Sequence, residues 1–214
     1  MGDRLRPLWD FNDLDATQAR LRAALDEESR DIGRAEVLTQ LARVEGLRDE
    51  FDAGDALLDR AAALGGVAPL VGMRVALERG RLRRSSGDAE AAMPLFLEAY
   101  ELAMAEAEAF IAVDAAHMLA IAAGDFDARL AWTERGIELA HASSDPEVKG
   151  WLGSLYNNAG WDRFDEGDYA LALDWFERAL AERERRPDQP DRIAHAREAV
   201  EEARQALSES GPAA

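Results

Sequence analysis

A fourteen-residue phrase recurs along this chain at a nearly constant interval, and no other feature of the sequence constrains the fold as strongly. It reads GDYALALDWFERAL at Gly167–Leu180, GDAEAAMPLFLEAY at Gly87–Tyr100 and GDFDARLAWTERGI at Gly124–Ile137. Looser copies are DEFDAGDALLDRAA at Asp49–Ala62 and NDLDATQARLRAAL at Asn12–Leu25. From the first copy to the last, the starts lie 37, 38, 37 and 43 residues apart. A fixed period of this size belongs to stacked supersecondary units, none of which buries its apolar face alone. Such stacks present an extended binding surface more often than an active site.

Each copy reads as one helix of a pair. A Gly-Asp or Asn-Asp step opens it, which suits a turn followed by a helix N-terminus with acid in the first turn. Small residues recur seven apart, at Ala92 and Ala99 or Ala172 and Ala179, with Phe96 or Phe176 between them. Positions three and four apart share a helix face, so this face is small, large, small, and a neighbouring helix can approach around one bulky side chain. A second amphipathic stretch precedes each later copy: Arg34–Leu47, Pro69–Arg84, Glu108–Ala122 and Glu147–Phe164. Pro94 falls inside a repeat helix, where it removes one backbone hydrogen bond and either kinks the helix or shifts its start.

In the last unit, Tyr156-Asn157-Asn158-Ala159-Gly160 is followed by Gly167-Asp168-Tyr169, Ala172, Phe176 and Ala179. This resembles the tetratricopeptide repeat, with aromatic, Asn, small and Gly in the first helix and Gly-Asp-Tyr, Ala, aromatic, Ala in the second. The 73–106 unit is similar, with Gly80 as its small residue. The 110–143 unit departs from the pattern, because Arg129 and Thr133 replace the small and aromatic residues and His117 stands where Gly or Ala is expected. Either the register slips there by one, placing Ala116 at the contact, or that unit packs loosely. The resemblance implies an all-α fold, an α-solenoid wound as a right-handed superhelix of antiparallel helix pairs, about ten helices in all. The expected domain is single, 1–214. It comprises a leading half-repeat at 12–31, repeats at 35–68, 73–106, 110–143 and 153–186, and a capping helix at 190–208. The cap carries an apolar stripe of Ile193, Ala196, Val200, Ala203 and Leu207, as a solenoid end requires.

Composition agrees with helices: 48% of residues are hydrophobic, many of them Ala and Leu, and 32% are charged. The Gly65–Pro69 and Ser143–Pro146 segments read as turns with Pro near a helix start. There is no cysteine, so disulfides and thiolate metal sites are excluded. Met1–Pro7 is charged with no apolar run after it, so no signal peptide is expected, and no window has the length of a membrane span. A reducing, cytoplasmic setting is the simplest inference. Twenty-four Arg against a single Lys, Lys149, hints at a GC-rich bacterial source. A net charge of −18 argues against nucleic acid or an anionic membrane as partner. The acidic surface is either solvated or an attraction for a basic partner.

Catalytic signals are poor. His117, His141 and His195 are scattered without ligand spacing. Gly153-Ser154 lacks the outer Gly residues of a nucleophile elbow. Asp10–Asp15 resembles the start of a calcium loop but has Leu21 where the bidentate Glu belongs, so a helix cap is the better reading. No enzyme activity, metal or cofactor is expected. Trp132 and Trp175 read as packing residues; Trp9 either caps the first helix pair or docks into a second molecule.

The resemblance implies that the first helices of successive units line a concave groove for a peptide. Its inner face maps to Thr39, Gln40 and Arg43; Arg74, Glu78, Arg81 and Arg84; Asp114 and Met118; Asn157, Asn158 and Trp161. In peptide-clamping relatives an Asn at the place of Asn157 pairs with the peptide backbone. Their two-carboxylate clamp also needs Lys, which is missing, so a chaperone-tail clamp is not supported. Arg74, Arg81 and Arg84 form either a positive patch for an acidic or C-terminal segment, or a set of ion pairs with neighbouring acids. The function expected is a protein–protein interaction module or scaffold that binds a protein or peptide in this groove. The alternative is a self-association module, a homodimer formed through the groove or the solenoid ends.

Overall fold

The computed structural model describes residues 3–187 and 189–210; Met1, Gly2, Asp188 and residues 211–214 of the expected domain lie outside that range. Every regular element among the described residues is helical. After a short 3-10 turn at Arg6–Leu8 come α1 Leu14–Glu27, α2 Asp31–Gly46, α3 Phe51–Gly65, α4 Pro69–Ser85, α5 Ala89–Ala105 and α6 Ala109–Ala122. They are followed by α7 Phe126–Ala142, α8 Pro146–Lys149, α9 Leu152–Asp165, α10 Tyr169–Glu184 and α11 Pro190–Ser210. Apart from the four-residue α8, these are the ten long helices expected, in the expected order. The fold is all-α, built from helix pairs packed on their neighbours in the manner of a solenoid: α2 with α3, α4 with α5, α9 with α10.

The chain divides into two compact units, Met1–Ala122 and Ala123–Ala214. The division falls inside the third repeat, between α6 and α7. That copy is the one with Arg129 and Thr133 in place of Ala and Phe. Thr133 is fully buried in the aromatic's position and its hydroxyl has no partner among the described residues, so this copy lacks the large side chain that fills the others. In α6, Ala116 is fully buried and His117 half-buried.

Local chemistry explains where the second helices start. The Asp of each clear copy is the N-cap: Asp88 accepts from the Ala91 amide, Asp125 from Ala128 and Asp168 from Leu171, each satisfying one unpaired first-turn donor. Gly87 and Gly167 precede two of these caps at φ of +93° and +79°, a left-handed turn that suits glycine. Pro69, Pro146 and Pro190 each open a helix, where a missing amide hydrogen costs nothing. Pro94 neither ends nor restarts α5, which runs through it from Ala89 to Ala105.

The small-large-small face does what its spacing requires. Phe96 and Phe176 are fully buried, and each ring lies on a glycine of the preceding helix. A Cβ added at Gly80 would stand 2.5 Å from the Phe96 ring, and one at Gly160 would stand 2.4 Å from the Phe176 ring. In the first unit the core joins Leu21, Val37, Leu38, Leu41, Leu58, Val71 and Leu82, together with Leu5 from the segment before α1. In the second unit Ala172 and Phe176 pack against Ala199, Val200 and Ala203 of α11.

Thus α11 covers the end of the second unit, with Ala196, Val200 and Ala203 of the expected stripe buried and Leu207 exposed. Deleting residues 190–214 is expected to uncover Ala172 and Phe176. Burial of one Val and three Ala sets the loss at about 3 kcal/mol, a fall of roughly 6–12 °C in Tm, with increased binding of an apolar dye. Unchanged melting and solubility would refute the capping role.

Candidate functional site

The first-unit residues expected on the inner face come from three helices. Gln40 and Arg43 lie on α2, Arg74, Glu78 and Arg81 on α4, and Asp114 on α6. Spacings of three and four residues align those of α2 and α4 along one side of each helix. Five of these side chains are polar or charged yet buried, or nearly so, and such groups persist only when paired. The pairing is a ladder. Arg43 Nη1 lies 3.8 Å from Glu78 Oε1, Arg81 Nη1 donates to the same oxygen at 2.7 Å, and Arg81 Nη2 donates to Asp114 Oδ1. Burial opposes the charge of Arg81, but Asp114 and Glu78 outweigh it and raise its pKa above the usual value. Burial likewise opposes ionised Asp114, yet Arg81 and Arg43 hold its carboxyl below the usual range. Arg43 is shifted down, by burial and by Arg81, against the pull of Glu78 and Asp114.

Over this face lies the chain's own N-terminal segment, Asp3–Phe11. Asp3 Oδ1 accepts from Arg74 Nη2 at 2.9 Å. Arg4 donates to Glu36 Oε2 at 3.1 Å and to the Gly33 carbonyl at 3.0 Å. Leu5 is buried in the core. The Trp9 indole N–H donates to Gln40 Oε1 at 2.9 Å. The Arg43 guanidinium sits 5.3 Å from the Trp9 ring and 5.5 Å from the Phe11 ring, and these two rings stack at 4.9 Å. Trp9 therefore caps its own first helix pair. Thr17 and Arg20 of α1 hold the segment from the other side, through Asp10 and the Leu8 carbonyl.

Of the residues expected to line a groove, the first unit brings Arg43, Arg81 and Asp114 into one network and gives Arg74 to Asp3. Arg74 Nε and Glu78 Oε2 remain buried with no partner among the described residues. Arg84 is exposed on the last turn of α4, outside the network, and Met118 is buried. Thr39 bonds its own helix at the Glu36 carbonyl. Asn157, Asn158 and Trp161 belong to the second unit, on α9. Trp161 packs edge-on to Phe164 at 5.4 Å and Phe176 at 4.9 Å, so its ring is part of the helix-pair core. Asn157 is half-buried and makes no side-chain hydrogen bond among the described residues. On the same helix Asp162 accepts from Arg129 at 2.7 Å, and the Tyr156 hydroxyl lies 2.8 Å from His141 Nε2.

Asp3 and the stacking of Arg43 on Trp9 and Phe11 are the parts of this site that sequence reasoning missed. The aromatic pair ahead of the first helix was the available signal; nothing local marks Asp3. Among the described residues, no group of three or more His, Asp or Glu is placed to hold a metal ion, and no helix is long and apolar enough to cross a membrane. No protein-family model matches the chain, and no curated protein matches it in sequence.

Proposed function

We propose that this chain is a protein–protein interaction module of the tetratricopeptide kind, whose first unit takes a segment bearing a carboxylate and an aromatic pair on the inner face of α2 and α4. One observation carries the reading. That face already holds a segment outside the α-helices by side-chain clamps, with the Asp3 carboxylate on Arg74 and the Trp9 and Phe11 rings on Gln40 and Arg43. A partner's acidic or C-terminal segment competes for the same three side chains. Arg suits this role through its planar fork and its stacking on aromatic faces. The net charge of −18 repels acidic chains that lack the fit. No catalytic step belongs to this reading, and the absence of cysteine fits a reducing, cytoplasmic setting.

The test uses a labelled peptide of residues 3–12 and the full chain carrying Asp3→Ala, Trp9→Ala and Phe11→Ala. In the wild type the tethered segment competes at an effective concentration in the millimolar range, so the peptide binds the triple variant at least about tenfold more tightly. Adding Arg74→Gln is expected to abolish capture, and added salt to weaken it. A triple variant that stays folded and shows no saturable anisotropy change would refute the reading.

A further inference from the structure

The second unit contains two arginines whose charge no acid among the described residues answers. Arg183, in the last turn of α10, donates from Nη2 to Ser154 Oγ at 2.8 Å. Arg186, just beyond that helix, donates from Nη2 to the Pro146 carbonyl at 2.5 Å. Two glycines admit them. A Cβ at Gly153 would stand 3.0 Å from Arg183 Nε, and one at Gly150 would stand 2.5 Å from Arg186 Nη2. Both guanidiniums therefore lie against the backbone at the start of α9 and the end of α8.

Neither guanidinium meets a carboxylate among the described residues, although the chain has 43 acidic residues against 25 basic ones. Three nearby acids are engaged elsewhere: Glu182 with Arg185 at 2.6 Å, Glu184 with Arg197 at 2.8 Å, and Asp145 as the cap of α8 through the Glu147 amide. Glu147 itself keeps Oε2 buried with no hydrogen-bond partner among the described residues, and it makes no ion pair with either arginine there. Burial, then the like charges of Arg192 and Arg186, push the Arg183 pKa down to about 10, with no opposing acid. Arg81 in the first unit is the contrast: it is also desolvated, but Asp114 and Glu78 raise its pKa. A desolvated guanidinium without a counter-ion is costly to keep, and such perturbed groups concentrate at functional sites.

We propose that Arg183, Arg186 and the Ser154 hydroxyl form a binding site for a phosphate group. Two guanidinium forks offer more donors than the two oxygens of a carboxylate accept, and the doubly charged phosphate matches their charge. The Ser154 hydroxyl accepts from Arg183 and keeps its own hydrogen to donate to the oxyanion. This site is separate from the clamp on the first unit, and neither proposal depends on the other.

The experiment is calorimetric titration of the full chain with sodium phosphate, with sodium acetate and sodium chloride at matched ionic strength as references. Phosphate is expected to bind saturably at one site and to raise Tm, while acetate and chloride do not. Arg183→Gln and Arg186→Gln are each expected to weaken phosphate binding by about tenfold, and Ser154→Ala by severalfold. Should Arg183→Gln unfold the unit, Arg186→Gln and Ser154→Ala carry the test. A phosphoserine peptide that binds more tightly than both inorganic phosphate and its unphosphorylated form identifies a partner-borne phosphate; equal affinity with inorganic phosphate identifies the free ion. Phosphate acting no differently from chloride, or unchanged phosphate affinity in the folded Arg186→Gln and Ser154→Ala variants, overturns the proposal.

Discussion

Replacing Phe176 with Ala is expected to destabilise the second unit by about 3–5 kcal/mol in urea unfolding. The ring is fully buried and lies directly on the Gly160 backbone, where even one added carbon would stand 2.4 Å away. Trp161 meets the same ring edge-on at 4.9 Å. The converse change, Gly160→Leu, overpacks the crossing and is expected to cost about 1–3 kcal/mol. Gly80 and Phe96 repeat this geometry in the first unit, at 2.5 Å, and the same pair of substitutions there is expected to behave alike. A neutral result for both Gly160→Leu and Phe176→Ala would mean that the repeat register has been misassigned.

That register was legible because the devices that set it are local. A Gly-Asp step becomes a left-handed turn and an N-cap within four residues, and a glycine opposite a phenylalanine is a contact between consecutive helices. Features set by distant residues were not legible. The stretch from Glu147 to Phe164 reads as one helix, but the structure breaks it at Gly150 and Trp151. Both residues keep helix-like backbone angles, and what marks the place is the guanidinium of Arg186, from beyond α10, lying on Gly150 and taking the Pro146 carbonyl. Pro94 reads as a kink or a start; α5 runs through it from Ala89 to Ala105, so it does not start the helix. Trp161 shares its helix with Asn157 and Asn158, but its ring turns toward Phe164 and Phe176. For the arginines, a spacing of seven placed Arg74 and Arg81 on one side of α4. Their partners, Asp3 and Asp114, come from opposite ends of the first unit, and no local pattern announces them.

The largest electrostatic effect is expected at Arg81. Arg81→Met keeps the apolar stem and removes the charge that answers two buried carboxylates. Glu78 would retain only Arg43, 3.8 Å away, and Asp114 would lose its direct donor. Removing one member of a buried ion pair costs about 3–5 kcal/mol, chiefly because the other is left desolvated and unpaired. Removing the acids as well, in Arg81→Met with Glu78→Gln and Asp114→Asn, is therefore expected to recover most of the loss. The pH dependence gives a second, independent check. In the wild type Asp114 is held below the ordinary aspartate value of about 3.9, so its contribution is present above that value and fades as pH falls through the lower folded value. In Arg81→Met burial dominates and raises the Asp114 pKa, so the folded variant takes up a proton first and gains stability relative to its own value at neutral pH. The difference between wild type and variant should then shrink as pH is lowered from about 7 towards about 4.5. A difference that stays constant over that range would show that the Asp114 carboxylate is not the group Arg81 compensates. Because the same ladder joins the inner sides of α2, α4 and α6, its loss should also loosen the surface under Asp3–Phe11 and make that segment easier to cleave by protease at neutral pH than at the acid end of the range.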